Sequence, residues 1–157
     1  MTDDESESWV AVTAGELPVS EALAWASQPD CGAVVSFRGS VRASSEGRPG
    51  VVSLEYEAYQ PYAATKMADV ARAVRTRFPG VRRIALLHRV GVLGIGEASV
   101  AVVVAAPHRS EAFEAARWCL DAVKATVPIW KRETWSGGSD WAKGARPILD
   151  VSDLEVP

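Results

Sequence analysis

The densest group of residues able to do chemistry is Pro107-His108-Arg109-Ser110-Glu111, which leaves an Ala/Val-rich run, Ala98 to Ala106, and opens a segment of helical periodicity. Free N–H groups and the positive dipole end at a helix N-terminus favour anions. An imidazole and a guanidinium placed there make a phosphate or carboxylate pocket. The spacing is equally compatible with a solvated Arg109 and a His108 that bonds only backbone. Further along the same helix, at about 100° per residue, Lys124 falls within ~20° of Phe113 and close to Leu120, on the edge of the apolar stripe. An amine there is expected to be partly desolvated, and desolvation with neighbouring cations lowers a lysine pKa enough to make it a base or nucleophile near neutral pH. A lysine that merely lays its stem along the core fits the position as well. Seven residues on, past Pro128, Ile129-Trp130-Lys131-Arg132-Glu133 brings a second lysine near the first. Glu133 either orients it or makes a surface pair.

Other candidates are weaker. Gly91-Val92-Leu93-Gly94-Ile95-Gly96 lacks the Gly-Lys-Ser/Thr of a phosphate loop and leads into another strand, so it reads as a hairpin connection. Cys31 and Cys119 stand far apart in no CxxC pair, which fits a reducing compartment and argues against a thiolate zinc site or a disulfide framework. Six Trp face three Phe, with Trp130, Trp135 and Trp141 crowded near the C-terminal end. Such a cluster marks a pocket rim, a protein interface or simple core packing.

The elements that must position these groups follow from periodicity. Strands are predicted at Trp9–Val12, Gly32–Arg38, Val51–Ala58, Arg83–Val90, Ala98–Ala106 and Trp130–Trp135, and helices at Val19–Ser27, Tyr62–Phe78 and Ser110–Thr126. Gly39 to Gly50, rich in Ser, Gly and Arg, reads as a mobile basic loop of the kind that closes over ligands. The acids of Glu55-Tyr56-Glu57 are assigned to solvent. The order describes an α+β domain, a mixed sheet with packed helices.

Composition sets the bounds. A chain of 157 residues, 48% apolar and 24% charged, is expected to form one domain over residues 9–147, between a disordered acidic tail at 1–8 and a C-terminal tail at 148–157. The net charge of −3 comes largely from Asp3, Asp4, Glu5 and Glu7; without them 17 basic residues face 16 acidic ones. That near-neutral balance is too weak for a nucleic-acid protein. The longest apolar stretch, Ala98 to Pro107, is half of what a membrane-spanning helix needs, and the acidic N-terminus is unlike a signal peptide. A cytoplasmic protein without metal or cofactor is expected.

Five blocks, in order, resemble the large, catalytic subunit of molybdopterin synthase. They are Gly32 to Arg42 (GAVVSFRGSVR), Leu54 to Tyr59 (LEYEAY), His88 to Gly91 (HRVG), Pro107 to Phe113 (PHRSEAF) and Lys124 to Glu133 (KATVPIWKRE). The similarity spans roughly residues 9 to 145. It implies an α/β-hammerhead fold and a homodimer at the centre of a heterotetramer. It also implies a small ubiquitin-like sulfur-carrier partner, whose Gly-Gly thiocarboxylate enters the active site. The implied reaction adds two sulfurs to cyclic pyranopterin monophosphate, forming the dithiolene of molybdopterin.

On the same resemblance, Arg42, His108 and Arg109 match positions that line the substrate's anion pocket, and Lys124 and Lys131 match the two active-site lysines. Arg77 matches an arginine reaching across the dimer. Lys131 is expected to be essential for sulfur transfer and Lys124 to assist it. The chain departs from the family pattern at Ala43, where Asn is frequent, and Arg146 lies one place out of register with a C-terminal arginine. A scaffold or regulatory subunit that binds the same carrier, or a generic anion-binding domain, is the alternative. The presence of all five central basic positions counts against the scaffold reading.

Overall fold

A computed structural model describes residues 7–44, 50–59, 61–135, 137–141 and 149–154. The centre of the fold is β6 (Ala98–Ala106), every residue of which is buried. A strand of Ala and Val with a single Ser can be packed on both faces, and here it is, with the Ser99 hydroxyl donating to Gly39 O. It pairs antiparallel with β4 (Ile84–Arg89) on one side and β2 (Ala33–Ser40) on the other, and β4 pairs parallel with β1 (Ser8–Thr13). The four-stranded order is β1-β4-β6-β2.

Period-two alternation divides this sheet's side chains between two cores. Ile84, Leu86, Val102, Val104 and Ala106 face α2 (Tyr62–Arg77) and α3 (Arg109–Thr126), where Met67, Val70, Val74, Ala115 and Cys119 meet them. Ala85, Leu87, Ala101, Val103 and Ala105 face the other way, onto Ala22 and Ala26 of α1 (Val19–Ala26).

A second, wholly antiparallel sheet has the order β5-β3-β7-β8. Its strands are β3 (Ser53–Ala58), β5 (Gly91–Gly94), β7 (Ile129–Trp135) and β8 (Gly138–Trp141). Val41, Val51, Leu54 and Leu93 form its small core. The expected α+β class holds, but with two sheets in place of one mixed sheet. The Gly-rich 91–96 segment is partly strand: Gly91–Gly94 pairs with β3, and Gly91 and Gly96 take positive φ at its ends.

Three boundaries move. Ser8 pairs with Ile84, and the Glu7 carboxylate accepts from Arg83 Nε at 2.8 Å, so the N-terminal tail ends before residue 7. The basic loop begins later than Gly39, because β2 runs to Ser40 and Val41 is buried and tied to the β5–β6 turn by hydrogen bonds with Glu97 and Gly96. The C-terminal segment is anchored where it is described: Leu149 N–H donates to Ala125 O, Lys66 pairs with Asp150, and Arg77 donates to Leu154 O. Arg146 lies outside the described residues.

Candidate active site

The site is assembled where the second sheet meets the C-terminal end of α3. On β7, alternation puts Ile129, Lys131, Glu133 and Trp135 on one face, and antiparallel pairing sets Lys131 opposite Tyr56 and Glu133 opposite Leu54. That face turns inward, since Leu54 is buried and Glu133 is only 3% exposed. Arg42, Ser44, Val51, Leu54, Lys131 and Glu133 line one cleft. Arg42 is held there by the backbone on either side of it: Val41 bonds the β5–β6 turn, and Ala43 O accepts from Val51 N–H. Glu133 is therefore no surface pair but a buried carboxylate beneath the lysine.

The electrostatics follow from that geometry. Loss of water around the Lys131 amine is the largest cause pulling its pKa below the ordinary lysine value; the Glu133 carboxylate opposes this, while Lys124 and Arg42 add to it. As a residue Lys131 is exposed, so its desolvation is partial. Tyr56 is raised, chiefly by burial and further by Glu133, with a hydrogen bond to Ser99 working against them. His88, near the end of β4, lies edge-on to Tyr56 with ring centroids 5.2 Å apart. Burial lowers its pKa to about 4, and the Lys124 charge contributes to the lowering. At neutral pH the imidazole is therefore uncharged.

Lys124 is brought to this cluster as expected but is itself exposed, which corrects its placement on the apolar edge. Phe113, which anchored that edge, is 62% exposed. The buried stripe of α3 is made mostly of small residues, Ala112, Ala115, Ala116, Cys119, Ala122 and Val123, with Trp118 and Thr126 beside them.

His108 and Arg109 lie elsewhere. They line a second, more open cleft with Gly32, Pro107 and Ser110. His108 is the N-cap of α3 and makes no side-chain capping bond, so the helix's first N–H groups are not occupied by it. Gly32 is required beside it: its N–H donates to Pro107 O, and a Cβ on Gly32 would sit 2.8 Å from that oxygen.

The expected single pocket of Arg42, His108 and Arg109 is not formed within one chain. Ser40 pairs with Ala98 and Ala33 with Ala106, so Arg42 and His108 follow from opposite ends of one ladder. At about 3.4 Å per residue those ends are roughly 27 Å apart. Arg77 joins neither cleft. Its guanidinium lies 4.6 Å from the Trp118 ring centroid and donates to Leu154 O at 3.1 Å, and its Nε is buried with no partner among the described residues. Sequence reasoning passed over Tyr56 and His88. Only the pairing of the strands, which periodicity does not specify, brings them to Lys131.

Two clefts, one lined by cations and a depressed amine and one at a helix N-terminus, are thus carried on an α+β scaffold. Residues 12–126 match the family model described as MoaE protein. The chain is 41% identical over 139 residues to a molybdopterin synthase catalytic subunit of Taeniopygia guttata, covering 88% of this chain and 89% of that one. A catalytic subunit of the same name from Nostoc sp. is 44% identical over 133 residues, covering 85% and 80%. The crystal structure of molybdopterin synthase from Staphylococcus aureus superposes with a TM-score of 0.79 at 33% identity, covering 84% of this chain and 95% of that one. The chain belongs to the MoaE protein family, that of molybdopterin synthase catalytic subunits, and it is an enzyme of molybdenum cofactor biosynthesis. Among the described residues, no helix is long and apolar enough to cross a membrane.

Proposed function

We propose that this chain transfers sulfur from the thiocarboxylated C-terminus of a small ubiquitin-like carrier to cyclic pyranopterin monophosphate in the cytoplasm. The observation that carries the reading is the Lys131 amine, depressed by desolvation and by two neighbouring cations, on a residue that lines a cleft with Arg42 and Glu133. An amine whose pKa is lowered in this way is better able to take up and return protons as the carrier's sulfur attacks and its acyl carbon is released. Sulfur arrives on the carrier, so neither cysteine is required as a nucleophile. Cys119 is fully buried, and its thiol is pushed far up by desolvation.

The substrate's phosphate belongs at His108 and Arg109, where a helix N-terminus adds its dipole to a guanidinium. Because Arg42 and Lys131 lie at the other end of the β2/β6 ladder, two copies of the chain supply one complete site, the phosphate cleft of one meeting the lysine cleft of the other. A homodimer flanked by two carriers is the assembly that follows, and Arg77 acts on substrate only across such an interface.

The test is reconstitution with thiocarboxylated carrier and cyclic pyranopterin monophosphate. Dithiolene formation is expected, and carrier binding without it would favour the scaffold reading. Mixed dimers of Lys131→Ala and Arg109→Ala chains, each inactive alone, should regain activity, because one of their two sites is then intact. No recovery would place both groups of each site on one chain.

A further inference from the structure

The excursion that carries the chain out of the first sheet is closed at its neck by an ion pair. β4 ends at Arg89, the chain crosses to add β5 to the second sheet, and it returns to the first sheet at Ala98. The Arg89 guanidinium donates to one oxygen of the Glu97 carboxylate, and the other oxygen accepts from Gly94 N–H at 3.1 Å. Gly96, at φ +83°, permits the tight turn between Gly94 and Glu97. The same turn holds the approach to the lysine cleft. Val41 N–H donates to Glu97 O at 3.0 Å, and Gly96 N–H donates to Val41 O at 2.8 Å. Arg38 adds a second tie, donating to Gly96 O at 3.0 Å and to Ser40 Oγ at 2.8 Å, across the register shift at Gly39/Ser40.

Arg42 is the next residue, and its place in the cleft with Lys131 is inherited from Val41. Both backbone polar groups of Val41 are committed to the turn, so a shift of the turn carries Arg42 with it. The β2 ladder does not supply this hold, since its pairing with β6 ends at Ser40. An isolated exposed ion pair adds little to stability. Here the Glu97 side chain is 45% exposed and that of Arg89 18%, and the consequence of the pair is geometric: one carboxylate ties the end of β4 to the turn that seats Arg42. We propose that Glu97, clamped by Arg89, is a positioning residue that fixes the 94–97 turn and through Val41 delivers the Arg42 cation to the Lys131 cleft. This rests on the reading of that cleft as the site of sulfur transfer.

The first test is a double-mutant cycle in sulfur-transfer kinetics, with thiocarboxylated carrier and cyclic pyranopterin monophosphate. Glu97→Ala is expected to lower kcat/KM about tenfold, within the range that a misplacement of order 1 Å produces. Arg89→Met, which leaves the carboxylate in place but unclamped, is expected to do the same. In an Arg42→Ala background either substitution should change kcat/KM by less than about twofold, since the group they position is gone. Losses that multiply would overturn the proposal, because a general loosening of the fold costs as much with Arg42 absent.

The second readout needs no turnover. Lys131 is followed by NMR of 13C-lysine-labelled protein through a pH titration, with Lys131→Arg assigning its signal. The Arg42 charge is one cause of the lowered Lys131 pKa. Moving that charge away raises the midpoint, whereas removing the Glu97 anion acts directly only to lower it. A rise of about 0.3 pH unit in Glu97→Ala, in the same direction as in Arg42→Ala, is therefore expected. A fall or an unmoved midpoint in the folded variant would overturn the proposal. Glu97→Gln keeps an acceptor for Gly94 N–H and loses the ion pair, and it is read by the same criterion should Glu97→Ala not fold. If wild type makes no dithiolene while Lys131 shifts as expected, the proposed reaction fails and the positioning stands. Dithiolene formation with an unmoved Lys131 in these variants rejects the positioning alone.

Discussion

Acidification tests the burial of His88 in folding free energy. The imidazole titrates at about 4 in the folded chain against an ordinary 6.5, because its charged form loses water there. Between those values the unfolded chain binds nearly one proton more than the folded chain. Stability therefore rises with pH across the window and falls as pH drops through it, by up to about 1.4 kcal/mol per pH unit. Summed from neutral pH to pH 4, the loss from this one ring is about 3 kcal/mol. Asp150, held near 2 by Ser152 and Lys66, and the lowered Glu97 and Asp30 lose stability in acid too, so the total slope does not isolate the histidine. Urea unfolding of wild type and His88→Gln at intervals from pH 7 to pH 4 isolates it by difference. The gap should move by about 3 kcal/mol in favour of the glutamine chain as pH falls, most of it between pH 6.5 and pH 4. Parallel curves would mean that the imidazole is solvated or protonated in the folded state.

Replacing Lys131 with Ala should abolish sulfur transfer while leaving carrier affinity within about twofold, measured by calorimetry. Lys131→Arg should fail as well, because a guanidinium keeps the charge but does not act as base or nucleophile. Gly32→Ala should push the Pro107–Arg109 turn away from β2, raising KM for the pterin substrate with kcat much less affected, since the lysine cleft lies at the other end of the ladder. Met67 is fully buried between α2 and the first sheet, so Met67→Ala should cost about 2–5 kcal/mol in chemical denaturation without a selective effect on KM.

The first sheet and its helices were largely legible in the sequence. Ala98–Ala106 is one uninterrupted apolar run, and the α2 pattern of Ala63, Met67, Val70, Ala71 and Val74 has the helical period with a Pro-Gly stop. The second sheet was not. β5 is four residues with a glycine at each end, and β8 begins with glycine, so their strand character comes from the neighbours they pair with rather than from local preference. Periodicity also does not say which strands pair, and hence concealed the separation of Arg42 from His108. Lys124 was misplaced for a related reason. Hydrophobicity favours Phe113 as a core residue, whereas α3 turns to the core the face that carries the alanines, Cys119 and Trp118. At Lys131 and Glu133 the residue types were visible in the sequence, but that both belong to the inward face was not.

That inward placement depends on register. With Tyr56 opposite Lys131 and Leu54 opposite Glu133, these two side chains of β7 line the cleft, while Ile129 and Trp135 of the same face pack against the two cores. A slip of one residue would bring Trp130, Arg132 and Thr134 to the cleft face and take both Lys131 and Glu133 off it. Three features hold the register. Val52 N–H donates to Thr134 O and Tyr59 N–H to Pro128 O, which pins both ends of the β3/β7 ladder, and Leu54 is buried with Leu93 and Val51 beneath it. The depressed amine is thus a product of packing some residues away from it. Desolvation of Lys131 requires Leu54 and Val51 in the small core, and the cations that reinforce it arrive on separate elements, Arg42 after β2 and Lys124 near the end of α3. A cleft assembled from three elements in this way keeps its electropositive character only while the two sheets and α3 stay docked. The chemistry and the tertiary fold are therefore expected to be lost together on heating, without an active partly unfolded intermediate.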